Sequence, residues 1–117
     1  MTVSKPSPHD AALLHVTGAA QYTDDIATPE NTLHLVFGLS EVAHGALTSI
    51  NLQKVLAADG VVDTITAADI PGKNDISPAP FPEPLLSDGT VNYIGQPIFI
   101  CAARSHLLAR KAVNLLK

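Results

Sequence analysis

Thr32-Leu33-His34-Leu35-Val36-Phe37-Gly38-Leu39-Ser40 is the stretch that sets the fold class. Leu33, Leu35, Phe37 and Leu39 alternate with His34, Val36 and Gly38, and a period of two predicts a β-strand with one strongly apolar face. Downstream, Ala46 to Ile50 reads as a second strand and Asn51 as a helix N-cap, because its short amide accepts from a free helix N–H. Leu52, Val55 and Leu56 then form one helical face, and Gly60 after Asp59 ends it. Val61 to Thr66, rich in β-branched residues, is the next strand, so residues 46–66 read strand–helix–strand. Ala67-Ala68-Asp69 makes one helical turn, closed by Pro71-Gly72.

Gly72 to Gly89 contains Pro78, Pro80, Pro82 and Pro84, shows no periodicity, and is expected to be a long loop with few backbone hydrogen bonds. Thr90 to Ile94 is a strand, Gly95-Gln96-Pro97 a turn, and Ile98 to Ala103 a continuous apolar strand buried on both faces. Pro97 cannot donate to a ladder and suits the first position of a strand, so the reversal falls on Gly95 at positive φ. Ser105 caps a last helix with Leu108, Ala112, Leu115 and Leu116 on one face. That helix is expected to run to Lys117 without an exit signal, the ending of a region cut from a longer protein.

Upstream of the opening stretch, Pro6 and Pro8 predict an extended arm over residues 1–19. Ala20 to Thr23 reads as a short strand, with Asp24-Asp25 turning the chain. The sum is an α/β class of α+β-like character: a small mixed sheet with about two helices in residues 20–117, behind an arm at 1–19.

Composition sets limits on this reading. A chain of 117 residues that is 46% hydrophobic supports one domain with a real core. The aromatic residues are Phe37, Phe81, Phe99, Tyr22 and Tyr93, so the core is built mainly from Leu, Ile, Val and Ala. A net charge of −4 argues against nucleic acid as a partner; the basic cluster Arg104, Arg110, Lys111 and Lys117 surrounds the last helix and complements its dipole. A single cysteine, Cys101, excludes an intramolecular disulfide and points to a cytoplasmic location. No apolar run reaches the roughly 18 residues of a membrane span, and Met1-Thr2-Val3-Ser4-Lys5-Pro6 has no apolar secretion signal.

No constellation in the sequence carries chemistry. His9, His15, His34, His44 and His106 have no metal-ligand spacing, and His34 on the weaker face of its strand reads as solvated or hydrogen-bonded. Asp24-Asp25 is the one adjacent carboxylate pair, and neighbours in a turn bond backbone amides more readily than they divide acid–base work. Cys101 lies mid-strand, where a thiol is a small hydrophobe with a raised pKa. The glycines form neither GxGxxG nor a Walker pattern. Gln96 is expected to be structural. Catalytic, cofactor and metal residues are therefore expected to be absent, and these arguments leave a binding module and an enzyme fragment both open.

Six ordered segments narrow the choice. They are His15-Val16-Thr17-Gly18-Ala19-Ala20-Gln21-Tyr22-Thr23-Asp24-Asp25-Ile26; Leu39-Ser40 with Ala43-His44-Gly45; Thr66-Ala67-Ala68-Asp69-Ile70-Pro71-Gly72-Lys73-Asn74-Asp75; Glu83-Pro84-Leu85-Leu86; Val91-Asn92-Tyr93-Ile94-Gly95-Gln96-Pro97; and Ala109-Arg110-Lys111-Ala112. In order and spacing they resemble the a/b hammerhead domain of the xanthine dehydrogenase and aldehyde oxidase family, the first domain of its molybdenum-binding subunit. The His15 start and the Asn74-Asp75-Ile76 stretch look more like the xanthine dehydrogenase branch. Gly45 and Asn51 depart from the family's frequent Ala and Asp.

The resemblance implies an enzyme that hydroxylates a purine carbon, in hypoxanthine or xanthine, with oxygen from water at a molybdenum–molybdopterin centre. Electrons pass through 2Fe-2S clusters to FAD and NAD. The family's catalytic Glu and molybdopterin contacts lie beyond Lys117, so none is carried onto this chain. The implied role is non-catalytic, structural and assembly-related. The implied partners are the downstream molybdopterin-binding domains of the same subunit and the Fe-S/FAD subunit or domains, with no nucleic acid and no membrane. An aldehyde oxidase-like hydroxylase and a stand-alone module binding through residues 72–89 are the competing expectations.

Overall fold

A computed structural model describes residues 7–116 of the chain, which divides into two units, Met1–Glu30 and Asn31–Lys117. In the first unit, helix α1 (Ala12–Thr17) corrects the expectation of an extended arm and adds a third helix to the expected pair. Pro6 lies outside the described residues and Pro8 precedes the first turn, where a proline removes no helical hydrogen bond. His9 starts the turn: its carbonyl accepts from Ala12 N–H at 2.8 Å and its Nδ1 from Ala11 N–H at 3.1 Å. Gly18 ends the helix at φ 72°, the left-handed conformation that frees a chain to leave. Residues 20–23 form no strand; Thr23–Asp25 is a 3-10 turn in which Asp25 Oδ2 accepts from Tyr22 N–H at 2.9 Å.

The second unit is built on a three-stranded antiparallel sheet in the order β1-β5-β3, with β1 His34–Leu39, β3 Val61–Thr66 and β5 Pro97–Ala103. Strands β2 (Gly45–Ala46) and β4 (Thr90–Val91) form a separate antiparallel ribbon. The expected strands at Ala46–Ile50 and Thr90–Ile94 are thus shorter than their patterns, and every pairing is antiparallel, which is the α+β-like form of the expected class. Two helices cover one face of the large sheet: α2 (Gln53–Leu56) and α3 (His106–Val113). Their buried residues Val55, Ala109 and Ala112 meet Phe99, Cys101 and Ala103 of β5 in one apolar core, together with Leu52.

Helix ends follow their side chains, with local corrections. Ser105 Oγ accepts from Leu108 N–H at 3.2 Å, the expected cap of α3. Asn51 Oδ1 does accept from Gln53 N–H at 3.0 Å, but Leu52 holds the cap position. Leu56 and Leu115 are exposed rather than on the packed faces assigned to them, because α2 and α3 bury their small or branched residues instead. Helix α3 ends at Val113, with Asn114 after it; Lys117 lies outside the described residues.

Candidate functional site

The alternation in residues 34–39 is present, but its polarity is the reverse of what hydropathy suggests. Register places Val36 opposite Cys101 and Gly38 opposite Phe99, so His34, Val36 and Gly38 face the helices. Gly38 is required there: a Cβ on it would collide with the Phe99 ring. Leu35, Phe37 and Leu39 point the other way and are 59%, 45% and 52% exposed. Phe37 stands opposite Ile100, and Ile100 opposite Ile65, so one apolar row crosses all three strands. Leu35 pairs with Ala102, which pairs with Asp63, in the adjacent row. A groove of about 460 Å³ borders the same strand, lined by residues 36–41, Gly95 and the α3 residues Arg110 and Val113.

One end of this surface is set by the Gly95-Gln96-Pro97 turn. Gly95 takes φ 86°, as the turn requires, and its N–H donates to the Ser40 carbonyl at 2.8 Å. Ser40 N–H donates back to the Gln96 carbonyl at 2.9 Å, which continues the β1–β5 pairing past a bulge at Gly38/Leu39. The Gln96 side chain is buried, and its Oε1 accepts from Asn92 N–H at 2.6 Å. Gln96 therefore holds the turn from within, a role its neighbours in sequence do not announce.

The loop between Gly72 and Gly89 contains neither helix nor strand, but it is better held than its prolines suggest. Asn74 grips Leu86 at both ends of its amide: Oδ1 accepts from Leu86 N–H at 3.1 Å and Nδ2 donates to Leu86 O at 2.7 Å. Asp75 Oδ1 accepts from Ser77 N–H and Glu83 N–H, at 3.1 and 3.0 Å, and its Oδ2 lies 2.8 Å from Lys73 Nζ. The Lys73 ammonium, then these amides, hold the Asp75 carboxyl at a pKa of about 2. Leu86, whose backbone Asn74 holds, is fully buried.

The candidate reactive groups do not converge. Cys101 is buried in β5, and burial pushes its thiol up. His34 is half-buried on the helix-facing side of β1, His44 lies before β2, and His106 opens α3. His15 and Tyr22 meet in the first unit, with Tyr22 Oη 3.3 Å from His15 Nδ1, while His9 Nδ1 accepts from Ala11 N–H. Asp24 and Asp25 share the 3-10 turn, where Asp25 bonds a backbone amide. Asp69 does likewise, accepting from Thr66 N–H and Oγ1 at 2.8 and 2.7 Å, which lowers its pKa. Arg104, Arg110 and Lys111 are spread around α3, with Lys117 outside the described residues. Among the described residues no three His, Cys, Asp or Glu stand together as a metal site, and no helix is long and apolar enough to cross a membrane.

What the geometry offers is a surface, and comparison with known proteins says to which architecture it belongs. Residues 17–117 match the family model described as aldehyde oxidase and xanthine dehydrogenase, a/b hammerhead domain. The chain is 39% identical to xanthine dehydrogenase 1 of Arabidopsis thaliana over 97% of its own length but 8% of that protein's. Against aldehyde oxidase 4 of Mus musculus the identity is 36%, over 98% of this chain and again 8% of that protein. The aldehyde oxidoreductase of Desulfovibrio desulfuricans superposes with a TM-score of 0.82 at 32% identity, covering 94% of this chain and 13% of that one. The chain spans under a tenth of the length of these sequence relatives. Since that family model spans residues 17–117, nearly the whole chain, the chain belongs to the aldehyde oxidase and xanthine dehydrogenase family and contains its a/b hammerhead domain.

Proposed function

We propose that the chain is a non-catalytic structural and assembly domain of a molybdenum hydroxylase of the xanthine dehydrogenase type. Other domains would then carry the molybdopterin–molybdenum centre that oxidises hypoxanthine or xanthine in purine catabolism, with Fe-S clusters and FAD receiving the electrons. The observation that carries this reading is 39% identity to a xanthine dehydrogenase along nearly the whole chain, although the chain equals only 8% of that protein. The donors of this domain do not fit a molybdenum or iron–sulfur group: the one thiol is buried mid-sheet, Asp25, Asp69 and Asp75 bond backbone amides, and among the described residues no three His, Cys, Asp or Glu stand together. No catalytic step is therefore assigned to its residues. The partners would be the molybdopterin-binding domains of the same subunit and the Fe-S/FAD subunit or domains, and the location would be cytoplasmic.

The second reading, an aldehyde-oxidising hydroxylase, is supported by 36% identity to aldehyde oxidase 4 and by the aldehyde oxidoreductase superposition. The test is turnover by the full-length polypeptide with its electron-transfer partner. Xanthine and hypoxanthine should reduce NAD or a dye faster than aldehydes do, and the 117-residue chain alone should neither bind molybdenum nor turn over. Faster aldehyde oxidation would select the second reading. A stop codon directly after Lys117 in the source gene would sink both in favour of a stand-alone module.

A further inference from the structure

We infer that Asp88-Gly89 is a site of spontaneous covalent modification, where the main chain reroutes through the Asp88 side chain into an isoaspartyl linkage that loosens the β2–β4 ribbon. The inference goes beyond the reading above and holds whichever hydroxylase the domain serves. The Gly89 amide nitrogen attacks Asp88 Cγ: the N–Cγ bond forms, a Cγ–O bond breaks, and the hydroxyl leaves with the amide proton as water. Water then adds to the Asp88 main-chain carbonyl carbon of the cyclic imide and breaks its bond to the Gly89 nitrogen. The sum is an isomerisation. Nothing is oxidised, the carboxylate is regained, and the main chain is longer by one carbon.

Two Asp-Gly steps occur in the chain, Asp59-Gly60 and Asp88-Gly89, and the fold treats them differently. Glycine favours the reaction because a Cβ on the attacking residue would crowd its nitrogen. Both aspartates are exposed, and among the described residues neither carboxyl has a hydrogen bond or ion pair, whereas those of Asp25, Asp63, Asp69 and Asp75 are held by backbone amides. The glycines set the two steps apart. Gly60 is half-buried, and a Cβ on it would collide with the Leu108 side chain. Its carbonyl accepts from Arg104 N–H at 2.8 Å, which carries the β3–β5 pairing one residue further. Cyclisation there must turn the peptide against a packed side chain and pull on the main sheet. Gly89 is exposed between exposed Asp88 and Thr90, and beyond its chain neighbours nothing lies within 4 Å of its Cβ position. Its N–H donates no hydrogen bond among the described residues, and its carbonyl accepts from Leu47 N–H at 2.9 Å. That bond ends a ribbon whose register is only Gly45 with Val91 and Ala46 with Thr90. Opening so short a ribbon costs less than opening the three-stranded sheet, so the reactive geometry is reached more often at Asp88.

The product cannot keep the contacts around it. Ser87 and Val91 are buried on either side of the exposed step, so an added main-chain carbon has to be taken up between two fixed points. Ser87 N–H donates to the Pro97 carbonyl at 2.8 Å, and Ser87 Oγ donates to the Thr90 carbonyl at 2.7 Å across Asp88-Gly89. The bonds to the Gly89 and Thr90 carbonyls depend on the spacing that isomerisation changes, and they give way. The pairings of the β1-β5-β3 sheet lie outside residues 87–91 and survive.

The experiment ages the folded full-length polypeptide at neutral pH and physiological temperature, beside synthetic peptides spanning residues 56–63 and 85–92. Isoaspartate is quantified by methyl transfer from S-adenosylmethionine with a purified isoaspartyl methyltransferase. Tryptic fragments 55–73 and 74–104 separate the two steps, and fragmentation mass spectrometry locates the residue. In the peptides the two steps should react within about threefold of each other, because the reacting groups are the same; in the folded protein Asp88 should react at least about fivefold faster than Asp59. Equal rates in the folded protein, faster reaction at Asp59, or no accumulation at Asp88 would overturn the proposal. So would peptides that differ as much as the folded steps do, since the selectivity would then owe nothing to the fold. Asp88→Glu keeps the charge but lengthens the side chain past the favoured cyclic imide, and it should abolish methyl acceptance by fragment 74–104. Acceptance that persists would place the isoaspartate elsewhere and overturn the site. Hydrogen exchange reads the loosening: the Leu47 amide should exchange about tenfold or more faster in aged protein, with β5 amides and aged Asp88→Glu protein unchanged. Unchanged exchange at Leu47 in protein carrying isoaspartate at position 88 would overturn the link to the ribbon.

Discussion

The two faces of the β1-β5-β3 sheet are both apolar, yet they are apolar in different ways. On the helix side the residues are small or tightly fitted: Gly38 under the Phe99 ring, Cys101, Ala103, and Ala109 and Ala112 from α3, all closely packed. On the outer side the residues are large and lie open: Leu35, Phe37, Leu39. The lesson is that the more hydrophobic face of a strand is not always the one the domain's own core uses. A core is defined by fit at near-crystalline density, and a large side chain on β1 that finds no such fit stays at the surface however apolar it is.

The largest expected effect tests the packed side. Phe99→Ala removes a fully buried ring from the centre of the core and should cost about 3–5 kcal/mol in urea unfolding. A loss below about 1 kcal/mol would mean that the helix-side face is not the true core. Gly38→Ala should come next. The new methyl must displace the Phe99 ring, an overpacking cost of about 1–3 kcal/mol, and the double change Gly38→Ala with Phe99→Leu should recover part of it. If the single variant were neutral, the fit between β1 and β5 would be looser than the register implies.

Gly95→Ala isolates the backbone contribution from the packing one. Beyond its own chain neighbours nothing lies within 4 Å of the position a Cβ would take, so the loss, on the order of 1 kcal/mol, comes from holding a side-chain-bearing residue at φ 86°. Asn at this position should lose less than Ala, since Asn tolerates the left-handed region better. An alanine variant as stable as the parent would break the argument.

These sites differ in how much of them could be read from sequence. The Gly95 turn, the β5 strand and the Ser105 cap each depend on chemistry within a few residues: proline's missing donor, a β-branched apolar run, a hydroxyl before a helix. What was not legible depends on distant partners. The orientation of β1 is settled by whether Phe99, some sixty residues away in sequence, finds space at Gly38. Asn74 and Asp75 hold the proline-rich loop through bonds to Leu86 and Glu83 that no periodicity announces. Helix α1 was hidden by prolines that stand outside it. For the outer sheet face, the signal is present as the Leu33–Leu39 alternation, but hydropathy alone does not say which side of the strand the helices cover.

The smallest expected effect makes the comparison sharpest, because it repeats the Phe99 substitution on the opposite face. Phe37→Ala deletes the same ring, from a residue 45% exposed. Fully burying a phenylalanine contributes about 1.5–3 kcal/mol, so a ring only about half-covered should contribute about 1 kcal/mol or less, with no closed cavity left behind. In the 117-residue chain, then, Phe37→Ala should shift the urea midpoint far less than Phe99→Ala, without changing the slope. A Phe37→Ala cost as large as that of Phe99→Ala in the 117-residue chain itself would show that both faces are already core, and the distinction between them would fall.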